Sequence, residues 1–196
     1  MNVALVDAGG ANIGSVRYAL QRLGVESTLA SDAAVIRAAD RVILPGVGAA
    51  APAMARLREA GLVGVIRSLT QPVLGVCLGM QLLCTRSDEG NVTCLGLIDA
   101  NVQRFGEGQG LRVPHIGWNQ VKGIVPNPLL AEDANEGWAY FVHSYAVPVG
   151  AATLATCDYG GEFSAAVRHG NFFGVQYHPE RSAAFGLATL RNFLSP

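Results

Sequence analysis

Apolar and polar positions follow different patterns in the two halves of the chain. In the first half, short runs of valine, leucine and isoleucine alternate with stretches whose apolar residues are three or four positions apart. The runs predict strands buried on both faces, and the wider spacing predicts amphipathic helices. The predicted strands are residues 2–6, 25–30, 41–44 and 73–76. This alternation predicts a mostly parallel sheet flanked by helices.

The second half of the chain has more numerous and shorter strand-like runs, separated by turn residues such as Pro126-Asn127-Pro128. The predicted strands are residues 97–105, 120–125, 139–143, 153–157, 164–168 and 172–176. Short strands joined by turns indicate antiparallel pairing. We therefore expect an antiparallel extension of the sheet, then a closing helix over Ala183–Leu194. No repeat or linker divides the chain, so we predict an α/β fold with one domain over residues 1–196.

Composition narrows the classes of partner and compartment. Half of the residues are hydrophobic, 15% are charged and the formal net charge is −1, with no basic block. This composition favours neither a nucleic acid nor an anionic membrane as partner. The first residues lack the basic region of a signal peptide, and no apolar stretch is long enough to span a bilayer. We therefore expect a cytoplasmic protein.

Cysteine spacing argues against a metal or a disulfide framework. The chain has four cysteines, Cys77, Cys84, Cys94 and Cys157, and no CxxC pair. A structural zinc site is therefore not expected, and disulfides are rare in the cytoplasm. The glycine-rich turn at residues 7–11 lacks the full pattern of a dinucleotide-binding loop. We predict neither a metal nor a cofactor.

One cysteine lies in a pattern typical of nucleophiles. Gly75-Val76-Cys77-Leu78-Gly79 directly follows a predicted buried strand and precedes good helix formers. In such a nucleophile elbow the reactive residue lies on a strained turn, and glycines on either side let the strand and helix cross closely. The start of a helix also favours a thiolate. The alternative is a buried structural cysteine in an ordinary turn. Cys84, seven residues on, is expected on the same helix.

A thiolate nucleophile needs a base and a group that orients the base. His178 is placed at the exit of the last predicted strand, and Glu180 follows two residues later. In an extended segment these two side chains face the same way, and Pro179 favours that geometry. Glu180 can then bond one ring nitrogen while the other faces Cys77. The alternative is a surface turn in which both side chains are solvated.

Acyl transfer also needs donors for the developing oxyanion. The backbone N–H of Leu78 directly follows the nucleophile, and the turn Gly46-Val47-Gly48 after the third strand offers another N–H. The alternative for this turn is a plain loop between a strand and a helix.

These motifs together resemble the class I (triad-type) glutamine amidotransferases, and most of all the branch that serves imidazole glycerol phosphate synthase in histidine biosynthesis. Five motifs carry the resemblance in one collinear order: PGVG at 45–48, GVCLGMQ at 75–81, PHIGWN at 114–119, YFVHSY at 140–145 and GVQYHPERS at 174–182. Tyr177 stands where members commonly have Phe, and its hydroxyl is not expected to abolish activity.

The resemblance implies a glutaminase with a Cys77–His178–Glu180 triad that needs no cofactor. Glutamine would be held by Gly79, Gln81 and the backbone near Ser144 and Tyr145. The ammonia would pass to a separate (β/α)8-barrel cyclase subunit, forming a heterodimer with this chain. Three residues are similar to partner-facing positions of the branch: Asn12, Trp118 and Asn119. The alternative for Trp118 is a core aromatic residue.

Three other interpretations stay open at this point. One is another amidotransferase subunit, such as that of pyridoxal phosphate synthase, which PHIGWN disfavours. The second is a cysteine peptidase or chaperone-like hydrolase on a similar fold, in which Gln81 and the His178–Glu180 pair are not usual. The third is a non-catalytic regulator, which retention of the whole triad disfavours.

Overall fold

The computed structural model describes residues 1–7, 13–106, 110–130 and 135–195. Its main sheet has nine strands in the order β2-β1-β3-β4-β13-β12-β11-β8-β9. A smaller sheet has the order β10-β7-β5-β6. The strands are β1 (Val3–Val6), β2 (Ser27–Ala30), β3 (Arg41–Gly46), β4 (Val73–Cys77), β5 (Cys84–Ser87), β6 (Val92–Thr93), β7 (Ile98–Arg104), β8 (His115–Gly123), β9 (Glu136–His143), β10 (Tyr145–Ala146), β11 (Thr153–Asp158), β12 (Glu162–His169) and β13 (Phe172–Val175).

Helices cover both faces of the main sheet. They are α1 (Ile13–Arg22), α2 (Ala33–Ala38), α3 (Ala50–Glu59), α4 (Leu62–Arg67), α5 (Leu78–Leu83) and α6 (Ala183–Leu194), with a short 3-10 helix at Pro179–Arg181. One core cluster contains buried residues of α2, α3, α4 and α5, and the other contains those of α1 and α6. None of the described helices is long and apolar enough to cross a membrane.

The parallel part of the sheet follows from the apolar runs of the first half. Every residue of β1 and β4 is buried, which is the pattern expected of strands covered on both faces. Strands β2, β1, β3 and β4 pair in parallel, and β13 pairs in parallel with β4. The remaining strands of the main sheet pair antiparallel. The predicted α/β fold with an antiparallel extension is confirmed.

Several boundaries differ from the predictions. Strand β8 begins at His115 and not near residue 120, so the PHIGWN motif is largely part of a strand. Strands β5, β6 and β10 were not predicted, because they are short and β5 is half polar. Helix α5 ends at Leu83 and Cys84 begins β5, so the prediction that Cys84 shares a helix with the elbow is wrong.

Candidate active site

Cys77 is the last residue of β4, and α5 starts at the next residue. Its backbone has φ 53° and ψ −111°, a conformation that is costly for a residue with a side chain and that recurs at functional sites. Steric crowding explains the glycines on either side of Cys77, Gly75 and Gly79. A Cβ on Gly75 would lie 2.6 Å from Gly79 O, and one on Gly79 would lie 1.8 Å from Leu44 O. The turn therefore has the geometry of a nucleophile elbow.

The second chemical group comes from the strand next to β4. Strand β13 pairs in register with β4 up to Val175 and Val76, so the chain that leaves β13 passes beside Cys77. His178 lies on this exit, with its Nδ1 2.9 Å from Glu180 Oε1. His178 is extended, but Glu180 lies in the 3-10 helix and not in an extended segment as expected. The pair is nevertheless formed, because the turn brings the carboxylate back to the ring.

Opposing effects act on the ionisation of His178. Burial by itself lowers the pKa of the imidazole, whereas its hydrogen bonds to Cys77 and Glu180, with the charges of both groups, raise it to about 10. Since Glu180 occupies Nδ1, the bond to Cys77 falls to Nε2. Both partners therefore favour the charged imidazolium form of His178.

A cavity of about 150 Å³ opens beside the elbow. Residues from five parts of the chain line it: Val47, Gly48, Cys77, Leu78, Gln81, Glu89, Val142, His143, Ser144, Tyr145 and His178. The structure thus brings most of the predicted site residues together. Gly46, Gly79 and Glu180 are not among the lining residues, because Glu180 lies behind His178 and the two glycines lie where strand and helix pack. A Cβ on Gly46 would be 2.8 Å from Gly79 N.

The chain is similar to one enzyme family over nearly its whole length. The family model for class-I glutamine amidotransferases matches residues 4–195. The chain belongs to the class-I glutamine amidotransferase family. The predicted family is therefore confirmed, and so is the enzyme class, a hydrolase of glutamine, which removes the peptidase and regulator alternatives.

Curated relatives identify the branch of the family. The chain is 56% identical over 193 residues to the imidazole glycerol phosphate synthase subunit HisH of Xanthomonas axonopodis pv. citri, with 98% of this chain and 96% of the relative covered. It is also 56% identical over 192 residues to the HisH subunit of Xylella fastidiosa strain Temecula1, with the same coverage. This amidotransferase is therefore of the HisH type.

Solved structures of more distant relatives share the fold. A crystal structure of a glutamine amidotransferase has a TM-score of 0.76 at 20% identity, covering 98% of this chain and 96% of that one. The structure of PurLQS from Thermotoga maritima has a TM-score of 0.74 at 19% identity, covering 98% and 97%.

Buried amides connect the amidotransferase nucleophile to the cavity wall. Gln81 Nε2 donates to Tyr145 O at 2.8 Å and to Gln176 Oε1 at 2.9 Å. Gln176 in turn donates from Nε2 to Cys77 Sγ at 3.7 Å. Gln176 was not among the predicted site residues. The signal was present, since a polar residue in the fully buried run before His178 needs a buried partner.

Glu89 is a further lining residue that was not predicted. Its Oε2 accepts a hydrogen bond from Ala50 N at 2.9 Å, at the start of α3. Burial raises the pKa of this carboxyl, and the bond from Ala50 opposes the shift. Glu89 follows β5 in a turn-like segment, and its position depends on how the smaller sheet packs. No local pattern in the sequence marks it.

The predicted partner-facing residues have different placements. Trp118 is 51% exposed, so the alternative of a core aromatic residue does not apply. Asn119 is on the opposite face of β8, and its Nδ2 donates to Asp158 O at 2.8 Å. Asn12 lies outside the described residues. The roles of all three in an interface stay predictions.

Proposed function

We propose that this amidotransferase is the glutaminase subunit of an imidazole glycerol phosphate synthase and that Cys77, His178 and Glu180 perform the hydrolysis. One observation carries the proposal. The sulfur at the end of β4 and an imidazolium held by a buried carboxylate meet at the wall of one cavity. That arrangement supplies a nucleophile, a proton donor and an orienting group for acyl transfer.

In the first step the Cys77 sulfur attacks the side-chain amide carbon of glutamine and forms a C–S bond. His178 gives its Nε2 proton to the amide nitrogen, the C–N bond breaks and ammonia leaves a glutamyl thioester. His178, now neutral, then takes a proton from water, whose oxygen attacks the thioester carbon. The C–S bond breaks, glutamate is released and the starting thiolate–imidazolium pair returns. Glu180 holds the ring through Nδ1 in both steps.

The tetrahedral intermediates carry an oxyanion that needs N–H donors. Leu78, the first residue of α5, directly follows the nucleophile and lines the cavity. Val47 and Gly48 line the cavity from the end of β3, and Gly46 pairs with Cys77 in the sheet register. Gly48 has φ 94°, which glycine adopts cheaply. We propose that Leu78 and this turn supply the two donors.

The α-amino and α-carboxylate groups of glutamine need partners of their own. Glu89 places a carboxylate at the cavity, which suits the α-ammonium group. Nε2 of Gln81 already donates to two groups of the protein, so Oε1 is the atom that can contact glutamine. The backbone of Ser144 and Tyr145 lines the same wall and supplies further polar atoms. The glutamine contact predicted for Gly79 stays a prediction.

We further propose that a separate (β/α)8-barrel cyclase binds the outer face of β8 and β9. On that face the strand register aligns Ile116 with Val142, Trp118 with Tyr140 and Gln120 with Trp138. Ile116, Trp118 and Trp138 are each more than half exposed. Exposed aromatic side chains of this kind are typical anchors of a protein interface. The partner contacts predicted for Asn12 and Asn119 stay predictions.

The test is steady-state glutamine hydrolysis by the chain alone, with the cyclase, and with the cyclase and its nucleotide ligand. We expect a low rate for the lone chain. In the absence of the cyclase, the peptide within Gly46-Val47-Gly48 would be flipped, so that a carbonyl and not an N–H would face the oxyanion. The cyclase with its ligand should raise kcat. A missing donor lowers rates by about 10²–10³-fold in other enzymes. Equal turnover in all three samples would contradict the proposed dependence on the partner. Absence of hydrolysis in all three would contradict the proposed function.

We also propose that residues 1–196 form one glutaminase domain that works in the cytoplasm. The family model spans residues 4–195, which supports one domain. All four cysteines are unpaired and buried, as is usual in a reducing compartment. Fractionation of cells followed by detection of the chain tests the compartment, and recovery from an oxidising compartment would contradict it.

A further inference from the structure

A pair of buried histidines lies beside the cavity, on strands next to the segment that carries His178. His115 on β8 and His143 on β9 are direct partners in the antiparallel register. Both are nearly excluded from solvent, and only His143 lines the cavity. An aromatic cluster surrounds the two rings: Phe105, Phe141, Tyr159 and Phe163. The mechanism proposed above uses neither histidine.

The hydrogen bonds of this pair have one possible direction. His143 Nδ1 is 2.8 Å from Tyr145 O. A carbonyl can only accept, so Nδ1 must carry the proton. His143 Nε2 is 3.1 Å from His115 Nδ1. Because a neutral His143 then has its lone pair on Nε2, His115 donates from Nδ1.

The series of hydrogen bonds continues along β8 to the neighbouring strand β11. His115 Nε2 is 3.4 Å from Asn119 Nδ2, and the same amide donates to Asp158 O at 2.8 Å. An amide nitrogen can only donate, so His115 Nε2 accepts, and both rings are neutral Nδ1–H tautomers. Burial agrees with neutral rings, since it lowers the pKa of His115 to about 4 and that of His143 to about 3.

This series of hydrogen bonds ends at Tyr145 O, an atom of the wall that we propose binds glutamine. Tyr145 O accepts from His143 Nδ1 at 2.8 Å and from Gln81 Nε2 at 2.8 Å. Two donors on one carbonyl fix the peptide plane that follows Tyr145 and restrict the backbone of Ser144 beside it. Both nitrogens of His143 also have partners, so neither is left to bond the sulfur of Cys77.

We propose that His143 and His115 are positioning residues that hold the Ser144–Tyr145 backbone in the conformation that binds glutamine. His143 acts on Tyr145 O directly, and His115 acts by holding the tautomer of His143. This inference rests on the proposed glutaminase function. Loss of the pair should weaken glutamine binding and leave the triad chemistry largely intact.

The test is steady-state glutamine hydrolysis by the complex of the full chain with the cyclase. For His143→Leu, which removes the donor to Tyr145 O, we expect KM for glutamine to rise about tenfold with kcat within about threefold, the scale of one lost hydrogen bond. His143→Asn can donate from Nδ2 to the same carbonyl and should recover most of the loss. His115→Leu should raise KM less, by about threefold.

A matched control is His169→Leu. His169 is exposed, and its Nδ1 lies 2.8 Å from Leu97 O, outside the cavity. KM should not change in this variant. A fall in kcat at constant KM in His143→Leu, or failure of His143→Asn to recover binding, would overturn the proposal.

A second measurement does not depend on glutaminase activity. Long-range ¹H–¹⁵N spectra of the histidine-labelled chain at pH 7 report which ring nitrogen carries the proton, and His115→Asn assigns one of the two signals by its loss. We expect Nδ1–H for both His143 and His115. An Nε2–H tautomer or a doubly protonated ring at either position would overturn the inference, even where the proposed function holds. If no sample hydrolyses glutamine, the proposed function fails separately.

Discussion

Two histidines line one cavity, His178 and His143, and their side chains differ in almost every chemical respect. We call the part of the lining around Cys77 and His178 the catalytic wall, and the part around His143, with His115 behind it, the positioning wall. His178 and His143 are both 6% exposed and both line the cavity. The pKa of His178 is raised to about 10, whereas that of His143 is lowered to about 3. Burial acts in the same direction on both rings, so burial alone does not explain the difference.

The hydrogen-bonding partners explain it. His178 has the Glu180 carboxylate on Nδ1 and the Cys77 sulfur as its other partner. Both partners favour an imidazolium. His143 has a carbonyl on one nitrogen and a neutral imidazole on the other, and the charge of His178 disfavours a second cation. The cavity therefore contains one charged histidine for proton transfer and one neutral histidine for hydrogen bonding.

The largest expected effect is the loss of glutamine hydrolysis when a catalytic residue of the triad is removed. Cys77→Ala or His178→Ala should each lower glutamine hydrolysis by the complex by about 10³-fold or more, since triad residues act as a unit. Product formation from added ammonia should continue, because the proposed cyclase site is on another chain. Both rates come from one assay with glutamine or ammonia as nitrogen source.

The control for this pair is Cys84→Ala. Cys84 is buried outside the cavity lining, and burial raises the pKa of its thiol to about 12. Its glutaminase activity should match that of the unmodified chain. Survival of glutamine-dependent turnover in Cys77→Ala would remove Cys77 as the nucleophile.

A smaller effect is expected from Glu180→Gln, which keeps a hydrogen-bonding group beside the ring. The amide still orients His178 but no longer favours the imidazolium, so the pKa of His178 should fall. We expect a loss of about 10–10³-fold in kcat, less than for His178→Ala. The pH profile of kcat gives both the loss and the shift. A profile identical to that of the unmodified chain would show that the carboxylate does not charge His178.

Gln176→Met tests the amide that contacts the sulfur. The substitution keeps the approximate volume and removes both the donor to Cys77 Sγ and the acceptor for Gln81 Nε2. We expect kcat/KM to fall about tenfold, the scale of one hydrogen bond. Measurement of kcat/KM with the complex checks this value. An unchanged kcat/KM would show that the contact at the sulfur has no part in the reaction.

The smallest expected effect is on the free energy of unfolding at acid pH. The histidines of the positioning wall and His178 should change this free energy with pH in opposite directions. A histidine whose folded pKa is lowered contributes stability that is present above its unfolded pKa near 6.5 and is lost as the pH falls through that value. His115 and His143 should therefore lower the free energy of unfolding by about 1–2 kcal/mol between pH 6.5 and 5.5. His178 has the opposite sign, because its contribution is present below 6.5 and is lost as the pH rises toward 10. Denaturant unfolding over this range checks the sign.

The variant His115→Phe, which fits the aromatic cluster, should flatten this acid dependence by about half. A curve as steep as that of the unmodified chain would show that His115 is not held neutral.

The catalytic wall was largely predictable from the sequence, and the positioning wall was not. Gly75, Cys77 and Gly79 lie within five consecutive residues, and His178 and Glu180 are two apart, so local geometry constrains each group. The contact between His115 and His143 joins residues 28 positions apart, and it depends on the pairing of β8 with β9. Glu89 likewise reaches the cavity through the packing of short strands that no apolar pattern marks.

The central claim is that the two walls have different chemical roles, and alkylation of the nucleophile tests it most directly. The reagent is a glutamine analogue with a diazoketone in place of the side-chain amide, and peptide mass spectrometry locates the adduct. We predict one adduct per chain, on Cys77, suppressed by glutamine. At saturating reagent, its formation should slow strongly in His178→Ala and stay near the unmodified rate in His143→Asn. An adduct on Cys84, Cys94 or Cys157, or equal slowing in both variants, would contradict the account.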